Sequence, residues 1–155
     1  MEIKEKIIQT LAEVGDKLQD IQSEWCIIGS SAMILSDIGI NETSDIDILT
    51  TVEGADELQQ ALREYMETTP KTKEDDLFHS NFARFNLPLM DIEVMGGLQV
   101  KKNDMWQNVH IDDFCEISIE NMIIRIPTLN EQKRLLLLFG RDKDLKRIGM
   151  FNQSV

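Results

Sequence analysis

Two aspartates one residue apart, Asp45 and Asp47, interrupt the apolar alternation of "SDIDILTT" and constrain the fold more than any other feature of the chain. Ile46 and Ile48 fall between and after them, a period of two that predicts a strand over residues 45 to 51. Side chains at i and i+2 of a strand share a face with their carbons about 6.5–7 Å apart. The carboxylates therefore face one way and the isoleucines the other. Like charges so placed repel each other and lose hydration. A shared divalent cation removes both costs, and Mg²⁺, usually held by one or two carboxylates with phosphate oxygens and waters, suits such a pair.

The preceding segment supplies a complement. "WCII" is a short apolar run of strand length, expected to be buried on both faces. Gly29 breaks it, and Ser30 or Ser31 can cap a helix over Ala32 to Ser36, which Asp37-Ile38-Gly39 ends. A Gly-Ser step between strand and helix exposes backbone N–H groups to which phosphate oxygens bind well. A third carboxylate comes from "LPLMDIEVMGG", where Asp91 alternates with Ile92 and Glu93 shares the face of Asp91. Three acids from two neighbouring strands can hold two cations about 3.5–4 Å apart, one activating the attacking oxygen and one neutralising the leaving phosphate.

Around this core the pattern alternates helices and strands. Ile3, Ile7, Ile8, Leu11, Val14, Leu18 and Ile21 predict one amphipathic helix over residues 2 to 21. A second helix starts near Glu53 and carries Leu58, Ala61, Leu62, Tyr65 and Met66. "TTPKTKEDDLFHS" reads as an exposed connection whose Lys71 and Lys73 are solvated. Strands follow over 81 to 87 and 89 to 95, with Gly96-Gly97 turning into a third at 98 to 101, and "VHI" and "ISIENMIIRI" add further β-like runs. Thr128 and Glu131 form a capping box for a helix to Phe139, closed by Gly140, and "RDKDLKRIGMF" supplies a last helix.

The run from GSSAM through a helix to SDIDIL, with MDIEV later, resembles the minimal nucleotidyltransferase superfamily related to DNA polymerase β. Its signature is a Gly-Gly/Ser turn, a helix, an Asp-x-Asp/Glu strand and a third carboxylate on a later strand. The small bacterial branch, with antibiotic nucleotidyltransferases and AbiEii-like toxins, is the most similar in its T/S-x-D-I-D phrase and its late K/R-x-K-D helix, matched here by "TSDIDIL" and "RDKDLKRI". The resemblance covers about residues 24 to 95 well and 126 to 148 loosely, and implies an α+β nucleotidyltransferase fold, a mixed β-sheet flanked by helices; the length of 155 residues is most simply one domain, residues 1–155. It implies Asp45, Asp47 and Asp91 as metal ligands and catalytic groups, with Asp91 at or beside the base. Gly29, Ser30, Ser31 and Lys143 would contact an NTP substrate. Where many relatives place an arginine before the T-x-D step, this chain has Asn41 and Glu42. The implied reaction moves a nucleoside monophosphate from the NTP to a hydroxyl acceptor, with two Mg²⁺ as cofactors and pyrophosphate released. A catalytically inactive binding module is the alternative. The chain is short for the superfamily, and a homodimer could complete the acceptor pocket from a neighbouring subunit.

Charge narrows the acceptor. With 28 acidic against 16 basic residues and a formal net charge of -12, the chain lacks the basic surface that extended nucleic acid requires. No apolar run reaches membrane-spanning length and no secretion signal opens the sequence, so a cytoplasmic location with no membrane partner is expected. Cys26 and Cys115 lack metal-type spacing and read as two buried free thiols, a disulfide being the lesser reading. His79, His110, Trp25 and Trp106 read as packing or surface groups. Arg84 either faces phosphate or pairs with Asp91 or Glu93.

Overall fold

The computed structural model describes residues 1–68 and 76–151. Most of the polar connection after Thr68, with Lys71 and Lys73, lies outside the described residues. The first helical stretch is two helices, α1 (Ile3–Glu13) and α2 (Gly15–Gln19), broken at Val14 rather than continuous. Gly15 explains the break: it is a poor helix residue, and a Cβ there would lie 2.5 Å from the Met122 sulfur, so the chain bends to pack closely. Strand β1 (Trp25–Ile28) leads straight into α3 (Gly29–Leu35), which starts three residues earlier than the sequence suggests. Asp37, at φ 63°, ends that helix in a left-handed step, with its N–H and that of Ile38 donating to Ile34 and Met33 carbonyls.

Strand β2 (Asp45–Thr50) is followed by α4 (Val52–Ala61), capped by Thr51, whose hydroxyl accepts from Gly54 N–H at 2.9 Å. The helix stops before Tyr65 and Met66. Arg63–Tyr65 form a 3₁₀ turn, and Met66 bridges to Phe85. Strand β3 (Phe78–Asn86) pairs antiparallel with β4 (Asp91–Lys102). Gly96 and Gly97 do not turn the chain. They lie within one long strand, because a Cβ at Gly96 would meet the Ala55 Cβ at 2.5 Å and the Thr51 carbonyl at 2.7 Å. Their role is to let the start of α4 rest directly on the sheet. Strand β5 (Met105–Asn108) returns along β4, and β6 (Phe114–Ile119) with β7 (Met122–Pro127) forms a separate hairpin. Helices α5 (Leu129–Phe139) and α6 (Asp142–Phe151) close the chain, with Gly140 left-handed between them.

The main sheet has the order β1-β2-β4-β3, with β5 on β4. β1 and β3 run antiparallel to their neighbours while β2 and β4 run parallel, so the sheet is mixed, as the fold class required. One face carries Ile27, Ile46, Ile48, Ile92 and Val94, packed with α1 and α4 residues such as Ile7, Leu11 and Leu58. The other carries Cys26, Ile28 and Leu49 beneath Leu135 of α5. β1 is thus buried on both faces. Cys115 is exposed rather than buried, and both thiols are free. Among the described residues no helix is long and apolar enough to cross a membrane.

Thr128 caps α5 by accepting from Glu131 N–H, but Glu131 does not return the bond as a capping box would. Its carboxylate instead accepts from Asp112 N–H at 2.7 Å and pairs with Arg134, whose guanidinium also donates to the His110 carbonyl. α5 is thereby tied to the segment before β6. Arg134, then burial acting in opposition, then the Asp112 N–H leave the Glu131 carboxyl at a pKa of about 2 against an ordinary 4.5. A depressed carboxyl stabilises the fold above its unfolded pKa and loses that contribution as pH falls toward the folded value. Glu131→Gln is therefore expected to cost about 1–2 kcal/mol at pH 7. Thermal melts should show a constant deficit above about pH 5 that shrinks between pH 4.5 and 2.

Candidate functional site

The register of β2 against β4 decides which acids meet. Asp45 pairs with Asp91 and Asp47 with Glu93, so all four share one face, while Ile46, Ile48, Ile92 and Val94 are fully buried on the other. Beyond β4, Glu93 lies opposite Arg84 and Asp91 opposite Asn86. Two transverse rows cross the sheet: Asp47, Glu93 and Arg84 in one, Asp45, Asp91 and Asn86 in the next. On the other side of β2, Ile28 faces Asp47, which brings Gly29 alongside the Asp47 carboxylate.

Carboxylate oxygens of Asp45, Asp47 and Glu93 all lie within 4.8 Å of one another. Asp91, the third metal ligand expected from the sequence, is not in this group. Its Oδ1 accepts from Asn86 Nδ2 at 3.1 Å and its Oδ2 lies 3.7 Å from Arg84 Nη1. Glu93 is buried and its longer side chain joins the aspartates of β2; Arg84 Nη2 donates to its Oε1. Three hard carboxylate donors at this spacing fit a Mg²⁺-type cation.

Gly29 has φ 72°, and a Cβ there would sit 2.8 Å from Asp47 Oδ2. Both facts require glycine. Ser30 Oγ is 2.8 Å from Thr43 Oγ1, and Thr43 and Ser31 hydroxyls both donate to the Asp45 carbonyl. These bonds pin the start of α3 to the start of β2. Ser31, expected to touch nucleotide, is buried in that brace and does not line the cleft.

Above the acids opens a cleft of about 360 Å³ between the sheet and the C-terminal helices. Gly29, Ser30, Asp45, Asp47, Arg84 and Glu93 form its floor, and Arg141, Lys143 and Arg147 stand on the opposite wall. Arg141 is occupied: its Nε donates to buried Asp144 at 2.7 Å, and its guanidinium lies 5.0 Å from the Phe78 ring centre. Lys143 and Arg147 have no ion-pair partner among the described residues. Gln132 also lines the cleft, its amide nitrogen donating to the Pro127 carbonyl and Ser36 hydroxyl, both at 2.9 Å. Cys26 is no nucleophile, since burial pushes its thiol up to about 12. His79 and Trp106 stack on each other, ring centres 3.6 Å apart, and neither lines the cleft.

Sequence reasoning placed Gly29, Ser30, Asp45, Asp47 and Lys143 around this cleft. It named Asp91 rather than Glu93 as the third ligand and did not single out Arg147. The alternation of DIE marks both acids as candidates, but only the register says which one faces Asp47.

The aminoglycoside-2''-adenylyltransferase family model matches residues 10–148. The chain belongs to this family. Its members are nucleotidyltransferases. No curated protein sequence matches the chain. Among solved structures, a nucleotidyltransferase of Thermotoga maritima is similar over 100% of this chain and 97% of its own, with 22% identity and a TM-score of 0.79. The antibiotic-resistance factor ANT(2'')-Ia is similar over 97% of this chain and 83% of its own, at 11% identity and TM-score 0.58. The lincomycin-bound lincosamide adenylyltransferase LnuA covers 95% and 97%, at 14% identity and the same TM-score of 0.58. At these identities the three establish the nucleotidyltransferase fold.

Gly29→Ala tests the floor. Its positive φ and the approach to Asp47 should lower stability by about 1–2 kcal/mol in urea unfolding. Gly39, where an added Cβ would meet nothing within 4 Å, is the control: Gly39→Ala should be neutral or stabilising by up to about 1 kcal/mol.

Proposed function

We propose that the protein binds an NTP with Mg²⁺ in this cleft and transfers the nucleoside monophosphate to a hydroxyl of a small-molecule acceptor, releasing pyrophosphate. The observation that carries this reading is the opposition of charges. Three carboxylates within 4.8 Å of one another share one cavity with Lys143 and Arg147, two cations that have no ion-pair partner among the described residues. A metal–triphosphate is the ligand that such opposed surfaces complement, because its cation and its anionic tail need opposite partners.

In this reading Asp45, Asp47 and Glu93 hold the metal, which supplies charge neutralisation at the phosphates. Gly29 and Ser30 receive phosphate oxygens on backbone N–H groups beside Asp47. Lys143 and Arg147 take the far phosphates and favour the charge that builds on the leaving pyrophosphate. Positioning does most of the work in phosphoryl transfer, which suits a cleft without an activated Ser, Cys or His nucleophile. The acceptor hydroxyl attacks the α-phosphorus in line, the bond to the bridging oxygen breaks, and a carboxylate of the cluster takes the proton. Membership of an aminoglycoside adenylyltransferase family and a net charge of -12 both favour a cationic amino sugar as acceptor. The same charge disfavours extended nucleic acid.

Calorimetry should show NTP binding that depends on Mg²⁺, and the dependence should vanish when Asp45→Ala and Asp47→Ala are combined. With α-labelled NTPs and a panel of aminoglycosides, lincosamides, protein and tRNA, label should reach a small molecule. Glu93→Gln should reduce that transfer by about 10²-fold or more, and Asp91→Asn by less than about tenfold. Nucleotide binding without transfer to any acceptor would instead support a binding module, and a larger loss in Asp91→Asn than in Glu93→Gln would restore Asp91 as the third ligand.

A further inference from the structure

We propose that Arg84 is a built-in counter-ion that occupies Glu93 before the metal arrives and yields it by moving onto Asp91 and Glu67. This rests on the metal reading above, but it concerns how the site is held when no cation is bound.

Glu93 is the least exposed of the three clustered carboxylates, its side chain 8% accessible, and it sits beside Asp47 in the register. Three acids converging this closely without a cation would repel strongly in a half-buried site. Arg84, opposite Glu93 on β3, supplies positive charge directly through its Nη2. Yet the same bond engages a ligand oxygen, and the charge repels an incoming dication. Mg²⁺ demands near-ideal geometry from its ligands, so a Glu93 oxygen committed to Arg84 is a poorer donor.

The surroundings provide an alternative seat. Arg84 Nη1 lies 3.7 Å from Asp91 Oδ2, and its Nε lies 3.9 Å from Glu67 Oε2. Neither acid belongs to the metal-type cluster. Asn86 holds Asp91 from the far side at 3.1 Å, which fixes it as a receiver. Arg84 is 34% accessible, so its guanidinium has room to shift by the short distance required. The two acids of DIE then divide the labour: Glu93 serves the cation, and Asp91 serves the arginine that the cation displaces. A fixed clamp that pre-orients Glu93 for metal would make the opposite prediction, and the sign of one measurement separates the two.

The measurement is Mn²⁺ binding to the full chain, without nucleotide, by electron paramagnetic resonance and calorimetry. Arg84→Met should bind Mn²⁺ about tenfold or more tightly than wild type, because a positive charge close to the site is removed. The metal-free variant should melt at lower temperature than metal-free wild type, and Mn²⁺ should raise its melting temperature by more. Equal or weaker Mn²⁺ affinity in Arg84→Met, with both proteins binding, overturns the inference and leaves the metal reading intact. Absence of binding in both overturns the two together. Should Arg84→Met not fold, ¹⁵N-arginine spectra of wild type decide, with Arg84→Lys assigning the signal. The Arg84 Nε–H resonance should move on adding Mg²⁺ and stay put in NaCl of equal ionic strength, and an unmoved resonance overturns the proposal.

Discussion

The in-register parallel pairing of β2 with β4 sets Asp47 beside Glu93 and Asp45 beside Asp91, and the rest of the site is arranged around that match. Parallel strands need a crossover, which here is supplied by α4, the connection after it and β3. Gly96 lets the start of that crossover lie on the strand it returns to, since a side chain there would collide with Ala55 and the Thr51 carbonyl. A slip of one residue in the register would put the acids of one strand into the isoleucine core of the other. Fully buried Ile46, Ile48, Ile92 and Val94 therefore hold the carboxylates at the same level from behind. Burying four branched apolar side chains offers several kcal/mol against such a slip, about 1.5–3 for each. The repulsion among the acids is the cost that this apolar face offsets.

Charge is divided within a chain that is acidic as a whole. The sheet floor gathers carboxylates, while α6 and the residue before it present Arg141, Lys143 and Arg147 from the other side. Arg141 shows that a cation on this wall need not face the ligand. Its bonds to buried Asp144 fix the start of α6, and its planar face rests near Phe78 and Phe139. That arrangement leaves Lys143 and Arg147 as the projecting charges. The excess of acid elsewhere repels polyanions at long range, so under the proposed function an anionic ligand would be accepted only locally, where two basic side chains and a cation would cooperate.

Most of this architecture was legible because local patterns agreed with tertiary needs. The strands of the acids, the Gly29 turn, the α5 cap at Thr128 and its Gly140 end all follow from period, φ requirement or capping chemistry. What was not legible depended on long-range contact. Gly96-Gly97 looks like a turn in isolation and is a thin place in a strand, because what selects glycine there is α4 from another part of the chain. The break at Val14 has the same origin in Met122. That Glu93 rather than Asp91 stands beside Asp47 is set by the register, which no single strand contains. Ser31 carries the residue type of a phosphate contact, yet its hydroxyl is consumed in bracing β2.

The two walls of the cleft come from distant parts of the chain, the floor from residues 29–93 and the cationic wall from α6 with the residue before it, carried on α5. For the proposed function their separation would have to match a metal–triphosphate closely, since displacements of about an ångström can cost about a hundredfold in rate. α5 carries that tolerance. Gln132 ties it to Ser36 at the end of α3 and to Pro127 at the end of β7, while Glu131 and Arg134 tie it to the segment before β6. Because α3 begins at Gly29, the Gln132–Ser36 bond links the far end of the Gly29 helix to α5, which leads into the helix that carries Lys143 and Arg147. Of the polar side chains that set this spacing only Gln132 lines the cleft, and its amide nitrogen is committed to Ser36 and Pro127. Substituting them would act on the alignment of Lys143 and Arg147 with the carboxylates, and hence on turnover more than on the metal site itself.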